Sequence, residues 1–242
     1  MIDLHSHILA GIDDGSKNLE NSLAMAYQAV ECGVTKMVCT PHIHQGYFDN
    51  NLVSIKQAFD KLILKLAEAK CHLKIAFSAE VRIGIEITDW IKKGQIPYIG
   101  TWQGRNAMLL ELPHSHVPPG TENLLRWLMD NQVQPIIVHP ERNRDVMADY
   151  RKLASLQQAG AIFQVTAGAF CGRFSDKVEE TAMKMLKDDN ITFIASDTHN
   201  TDRRPNDMGA CRDVLVPLVG EQKASLMLSQ TPDLITQNLA WK

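Results

Sequence analysis

Short apolar stretches alternate with longer amphipathic ones along almost the whole chain. Apolar or β-branched runs occupy residues 1–5, 34–40, 73–79, 107–112, 135–139, 161–166 and 191–196. These runs are apolar on both faces, which predicts strands of a parallel sheet covered by helices. Between them, helical periodicity covers residues 19–32, 52–69, 121–131, 149–159 and 176–188, and the tail is helical over 206–218, 221–228 and 232–239. Gly33 and Gly160 each fall between a helix and the next strand, where a glycine C-cap belongs. Seven βα units in ~200 residues suit a closed or nearly closed barrel better than two domains. The expectation is one α/β domain over residues 1–242, a distorted (β/α)7 TIM-like barrel. An open doubly wound sheet is the structural alternative. No Pro/Gly/Ser linker, charge block or fixed-period repeat divides the chain.

Composition narrows the class. The 242 residues carry 25 Lys plus Arg against 28 Asp plus Glu, a formal charge of −3, and 45% are hydrophobic. Such a chain can bury roughly three quarters of its unfolded surface. A mildly acidic balance offers no basic face for phosphate backbones, which argues against nucleic acid as a partner. No apolar run approaches the ~18 residues a membrane span needs, and the N-terminal stretch does not read as a signal peptide. The five cysteines (Cys32, Cys39, Cys71, Cys171 and Cys211) are odd in number and never form C-x-x-C. That pattern fits buried thiols in a reducing cytoplasm.

The chemistry gathers at the strand ends. The first run ends in His5-Ser6-His7, with Asp13-Asp14 in the following loop. The second leads into Thr40-Pro41-His42 and the third into Glu80, while the fourth contains Glu111. The fifth ends at His139 and the seventh at Asp197-Thr198-His199; only the sixth, ending at Thr166, lacks a histidine or acid there. In a parallel barrel all these ends open on one face, where active sites of this architecture lie. Imidazole and carboxylate are ligands for zinc, manganese and iron. Alternate strand residues share a side, so His5 and His7 can grip one ion, as can Asp197 and His199. A lone H-x-H is weak evidence, since two partly exposed histidines explain it. Nine candidates (His5, His7, Asp14, His42, Glu80, Glu111, His139, Asp197 and His199) at three or four per ion imply two or three ions sharing carboxylates. Closely spaced ions suggest metal-assisted hydrolysis with a bridging hydroxide. Arg142, three residues past His139, and Arg204, five past His199, can clamp a phosphate or carboxylate. The bland alternative pairs them with Glu141 and Asp202 on the surface.

The motif order resembles the polymerase and histidinol phosphatase (PHP) superfamily, distorted (β/α)7 barrels with a trinuclear site. More narrowly, it resembles the bacterial manganese-dependent protein-tyrosine phosphatases of the CpsB/CapC capsule and exopolysaccharide family. The stretches that carry the likeness are Asp3-Leu4-His5-Ser6-His7, Gly11-Ile12-Asp13-Asp14-Gly15 and Thr40-Pro41-His42. They continue through Glu80, Glu111-Leu112-Pro113, His139-Pro140-Glu141-Arg142, Ser196-Asp197-Thr198-His199-Asn200 and Arg204-Pro205. The resemblance implies one ion on His5, His7, Glu80 and Asp197. A second would use Glu80 as a bridge with Glu111 and His139, and a third Asp14, His42 and His199. It implies Arg142 and Arg204 as the phosphate-holding catalytic residues. It further implies manganese as cofactor, with iron or zinc as substitutes, and the phosphotyrosine tail of a membrane-associated bacterial tyrosine kinase as substrate and partner. One departure is His42-Ile43-His44 where family members often carry His-His, so His44 is not carried over as a ligand. His114 and His116 read as an exposed loop pair, His72 as surface, and Met25, Met183 and Met185 as core. Tyr47 and Phe48 are candidates to receive a tyrosine ring.

Rival chemistries lack their motifs. A cysteine-dependent phosphatase needs C-x5-R, because a thiolate attacks phosphorus from a loop that cradles its oxygens. The sixth residue after each cysteine is Val38, Gln45, Phe77, Lys177 or Pro217, never arginine. No G-x-x-x-x-G-K-[ST] or G-x-G-x-x-G occurs. Amidohydrolases share H-x-H but usually bridge their metals with a carboxylated lysine on the fourth strand, where this chain has Glu111. Two rivals stay open: a small-molecule phosphoesterase such as a histidinol-phosphate phosphatase, and a non-catalytic, metal-stabilised kinase-binding protein.

Overall fold

The computed structural model describes residues 1–242. Its strands are β1 (Ile2–Ser6), β2 (Lys36–Cys39), β3 (His42–Ile43), β4 (Lys74–Phe77), β5 (Glu80–Arg82), β6 (Gly100–Trp102), β7 (Arg105–Glu111), β8 (Val133–Val138), β9 (Ile162–Thr166) and β10 (Phe193–Ala195). Helices α1 (Leu19–Glu31), α2 (Leu52–Glu68), α3 (Ile87–Lys92), α4 (Thr121–Asp130), α5 (Arg144–Ala148), α6 (Arg151–Gln158), α7 (Asp176–Lys187), α8 (Met208–Ser225) and α9 (Thr231–Ile235) connect and cover them. No helix is long and apolar enough to cross a membrane.

Seven apolar runs were expected to give seven strands; each gives one, and two short strands are added just past the second and third runs. Pro41 has no N–H to continue the ladder of β2, and β3 begins only after it, in the other sheet. Beside it β5 follows β4 in the same way, with Ser78 N donating to Cys39 O (2.8 Å) and Glu80 N to Pro41 O (3.1 Å). The hydrogen-bonded result is two sheets: β1-β2-β4, all parallel, and β10-β9-β8-β7-β5-β3, also parallel. No continuous ladder closes the ring. Between β10 and β1 the gap is spanned by His7 N to Thr198 O and Asp197 N to His5 O, both 2.9 Å, and one isolated bridge between Ser6 and Thr198. An antiparallel strand, β6, turns back on β7, and α3 precedes it; neither had a periodic signature in the sequence.

The helices start and face where local chemistry puts them. Asn51 Oδ1 accepts from Val53 N and Ser54 N, while Ser54 Oγ accepts from Asn51 N, a reciprocal cap for α2. That helix buries Ile55, Ala58, Phe59, Leu62 and Leu66, one stripe at helical spacing. Gly33 and Gly160 follow α1 and α6 with φ of +83° and +106°, as their C-cap role requires. The larger core lies between the helices and the outside of the sheets. A smaller core fills the ring itself, built from Leu4, Val38, Leu109, Ile136, Phe193 and their neighbours.

This inner core forms a floor, and the chain's last residues seal it. Ile235 belongs to the inner cluster, Trp241 packs against it, and Lys242 exchanges both backbone hydrogen bonds with Ile75 on β4. The carbonyl of Ile235 passes so close to Gly100 that a Cβ there would lie 2.0 Å from it, and Gly100 sits at φ +131°. Gly100→Ala should therefore lift the tail off the floor and lower unfolding free energy by at least about 2 kcal/mol. Hydrogen exchange should show faster amides at Ile75 and over residues 231–242. Unchanged exchange there would mean that the tail does not depend on this contact.

Candidate metal centre

Above the apolar floor the interior turns polar, and backbone irregularity does the aiming. Ile2 and Asp3 pair with Lys36 and Met37, yet Ser6 pairs with Cys39, so β1 carries one extra residue against β2. Strict alternation would send Leu4 inward and His5 outward. The bulge lets Leu4 join the floor while His5 also enters the ring, the kind of re-aiming bulges perform beside sites. His139 and Asp197 are non-glycine residues at φ +38° and +52°, where each strand turns sharply at its end. Such conformations cost about 1–3 kcal/mol each and persist only when their surroundings hold them. Asp3 supplies that hold at Asp197: its carboxylate accepts from Ser196 N (2.9 Å), Ser196 Oγ (2.6 Å) and Asn206 Nδ2 (2.8 Å).

All nine residues singled out in the sequence meet on this rim. His5 Nε2 and His7 Nε2 are 3.2 Å apart. His5 Nε2 lies 3.3 Å from Glu80 Oε2 and 3.4 Å from Asp197 Oδ1, and His7 Nε2 lies 3.2 and 3.3 Å from the same two oxygens. Ligand bonds of about 2.0–2.2 Å in a tetrahedron separate donors by about 3.3–3.6 Å, so His5, His7 and Glu80 have the spacing of one ion's shell, with Asp197 Oδ1 equally near both imidazoles. His42 Nδ1 lies 2.9 Å from Glu80 Oε2 and 3.7 Å from Glu111 Oε2, forming a second group. His139 Nε2 approaches the other Glu80 oxygen, Oε1, at 2.8 Å. The third group joins His7, Asp14, His42 and His199; Asp14 Oδ1 is 3.4 Å from His42 Nε2 and 3.3 Å from His199 Nε2. Here the structure differs from the partition the sequence suggested, because His42 faces both the second and third groups.

The donor atoms fit a cation. His42 Nδ1, Glu80 Oε2, Glu111 Oε2, Asp197 Oδ1 and His199 Nε2 are all buried and make no hydrogen bond. Buried polar atoms are rarely left so, and here all five belong to residues of the rim, three of them (His42 Nδ1, Glu80 Oε2 and Glu111 Oε2) in one donor group. Burial opposes charge on Glu80 and Asp197, yet His42 and His5 beside the first, and Arg204 and His5 beside the second, hold both carboxyls well below the usual range. Burial likewise opposes charge on His42, but Glu80 raises its pKa to about 10. Burial and the Arg142 charge bring His139 down to about 3, and burial with His7 brings His199 to about 4, leaving both as neutral donors. Glu111 is pushed up to about 6 by burial and by Glu80. Protons and metal ions compete for these nitrogens and oxygens.

Several supporting residues carried no distinct signal. Asp13, beside the chosen Asp14, accepts at His7 Nδ1 (2.8 Å) and from His42 N (3.2 Å) and Gly15 N (2.9 Å), so it fixes the His7 imidazole and the backbone that carries His42. Gln164 Oε1 lies 2.9 Å from His5 Nδ1 and comes from β9, the strand without a histidine or acid at its end. A polar residue inside a buried apolar run was the available clue. Arg82 pairs with Glu111 at 2.9 Å. The arginines do not take their sequence neighbours as partners: Arg142 Nη1 and Arg204 Nη2 both lie 2.5 Å from Asp197 Oδ2. His114 is not a bystander, since its Nε2 lies 3.0 Å from Arg142 Nη2 and its ring stacks on His139. The His116 ring meets Ser115 Oγ at 2.8 Å, and His44 stacks on Tyr47 outside the donor groups. Phe48 lies flat against His42, rings 5.4 Å apart, while Tyr47 is exposed.

Comparison with known proteins finds relatives over nearly the whole chain. The family described as "Capsular polysaccharide synthesis, CpsB/CapC" matches residues 1–237. The tyrosine-protein phosphatase YwqE of Bacillus subtilis is 31% identical over 238 residues, covering 98% of this chain and 92% of its own. A crystal structure from work on YwqE and Streptococcus pneumoniae CpsB, described as metal-dependent tyrosine phosphatases, aligns with TM-score 0.91 at 30% identity, covering 99% and 96% of the two chains. The histidinol phosphate phosphatase of Lactococcus lactis aligns at TM-score 0.55 and 14% identity, over 94% of this chain and 96% of that one, which shows a shared fold alone.

Two substitutions probe the donors and their support. Glu80→Gln keeps the shape but removes the charge between the first two groups, so elemental analysis should find fewer ions per chain; full occupancy would exclude a bridge. Asp13→Asn should weaken metal affinity about 10- to 100-fold, as loss of an orienting partner does, with the fold intact by circular dichroism. Equal affinity would leave Asp13 without a role at the centre.

Proposed function

The chain belongs to the CpsB/CapC capsular polysaccharide synthesis family, and on that premise we propose that it removes phosphate from phosphotyrosine on the tail of a bacterial tyrosine kinase governing capsule or exopolysaccharide synthesis. It is a metal-dependent tyrosine phosphatase. We take the metal to be manganese, up to three ions, with iron and zinc suited to the same donors. When bound, the ions supply Lewis acidity and an activated water. The work is placed in the cytoplasm, a compartment in keeping with five cysteines that form no disulfide.

One observation carries the reading: two guanidiniums meet at Asp197 Oδ2, while Oδ1 of the same carboxylate faces the His5–His7 pair. A phosphate monoester entering beside that carboxylate would take over both forks, because a dianion presents more acceptor oxygen than one shared carboxylate atom. Arg142 is held ready by His114 and by the face of Phe174, 4.9 Å from its guanidinium carbon. Asp14 is half exposed and opens the third donor group to a cavity of about 520 Å³ between the Asp14 and His199 loops. That opening separates the reading from a purely structural metal site, which closes its shell.

The thiols of Cys39, Cys171 and Cys211 do not compete as nucleophiles. Burial pushes Cys39 and Cys211 far up, and burial with Asp207 brings Cys171 to about 11, so these sulfurs stay protonated at neutral pH. The histidinol-phosphate reading rests on fold alone, whereas the tyrosine phosphatase reading rests on relatives that match nearly the whole chain.

The deciding assay compares phosphotyrosyl peptide, phosphoseryl peptide and histidinol phosphate at equal enzyme with manganese. Preference for the first is expected; faster turnover of histidinol phosphate would transfer the enzyme to the small-molecule class. Arg204→Ala should keep its metal yet lower kcat/KM roughly 30- to 1000-fold, about 2–4 kcal/mol for one oriented donor. Arg204→Lys should recover only part, since ammonium keeps the charge and loses the fork. Near-normal kinetics in Arg204→Ala would remove it from the site.

A further inference from the structure

Beside the metal centre lies a second, larger depression of about 830 Å³, between the segment after β3 and the α3 insertion. Its apolar wall is made by Ile43, Phe48, Trp90 and Ile96. It is continuous with the centre: Ile43 follows His42 directly, and the Phe48 ring that lines the groove is stacked on the His42 imidazole. Asn50 Nδ2 locks this wall by donating to both Ile12 O (2.7 Å) and His42 O (2.9 Å).

The electrostatics of the two depressions are opposed. Arg142 and Arg204 mark the phosphate end. The groove is lined by Asp49, Glu86 and Asp89 and by no lysine, arginine or histidine. Asp89 is paired with Lys93 at 2.7 Å, whereas Glu86 makes no ion pair and Asp49 accepts only from Gly46 N, at 2.7 Å. Two carboxylates are thus free for a visitor that brings its own cation. Ile85, 87% exposed, and Val53, 65% exposed, extend the apolar surface from the segments that frame the groove.

We propose that this groove receives the residues flanking phosphotyrosine and selects a peptide with an apolar side chain and a lysine or arginine next to the phosphorylated residue. The apolar side chain would pack against Phe48, Trp90 and Ile96, and the cation would face Glu86 and Asp49. A small phosphate ester carries no flanking residues to place in the groove, so the groove acts on peptides alone. The inference rests on the tyrosine phosphatase reading and adds a sequence preference to it.

The test uses the full chain with manganese, p-nitrophenyl phosphate, and two phosphotyrosyl peptides flanked by Leu and Lys or by Gly and Glu. Wild type should prefer the Leu/Lys peptide. Glu86→Lys should lower kcat/KM on that peptide several-fold, raise it on the Gly/Glu peptide, and leave p-nitrophenyl phosphate unchanged. Trp90→Ala should cost the Leu/Lys peptide roughly 10-fold, the scale of one lost apolar contact, again sparing the small ester. Equal effects of either variant on all three substrates, or no preference between the peptides in wild type, would overturn the groove. Absence of turnover on p-nitrophenyl phosphate and both peptides by wild type would instead overturn the tyrosine phosphatase reading, and the groove with it.

Discussion

Glu80 and Asp197 bring two buried carboxylates into one ring of strands, and no lysine reaches either. Taking a carboxylate out of water costs several kcal/mol unless opposite charge and hydrogen bonds replace the lost solvent. Around Glu80 the only partners are four imidazoles; around Asp197 they are three imidazoles and two guanidiniums. That imbalance is what the rest of the rim answers. It draws protons onto His42, holds the two arginines against Asp197, and leaves a set of oxygens and nitrogens whose natural complement is a group of cations.

The fold makes this burial affordable by separating the ring into two levels. Leu4, Val38, Leu109 and Phe193 fill its lower part, and the tail from Ile235 onward seals the bottom against water. The polar level then sits on a dry, rigid base, where electrostatic interactions are stronger than at a surface. One inserted residue in β1 joins the levels, letting Leu4 and His5 both face inward. Left-handed backbone at His139 and Asp197 completes the aiming, with Asp3 fastening the second of these to the base of β1.

Much of this was legible in the sequence because parallel strands deliver their C-terminal ends to one face whatever the loops between them do. His5, His7, Glu80, His139 and Asp197 could be placed together from strand order alone. What escaped depends on register and rotamers rather than pattern. The short strands β3 and β5, just past the second and third runs, had no apolar run of their own. The bulge at His5 is a matter of one residue's pairing, invisible in an apolar string. Adjacent Asp13 and Asp14 are chemically alike, and only the fold shows that one orients His7 while the other opens to solvent. Gln164 lacked the charge that drew attention to the other strand ends. Arg142 and Arg204 have carboxylates as near neighbours in sequence, yet both reach across to Asp197. Helix α3, which helps wall the groove, and strand β6 are too short for a periodic pattern to announce them.

The central claim is that Glu80 and Asp197 are buried together in order to hold closely spaced cations. Anomalous diffraction from crystals grown with manganese tests it directly. The account predicts one peak among His5, His7, Glu80 and Asp197, and at least one more within bonding distance of the same Glu80 carboxylate. Peaks confined to surface acids, with none at Glu80 despite activity in the same preparation, would contradict it.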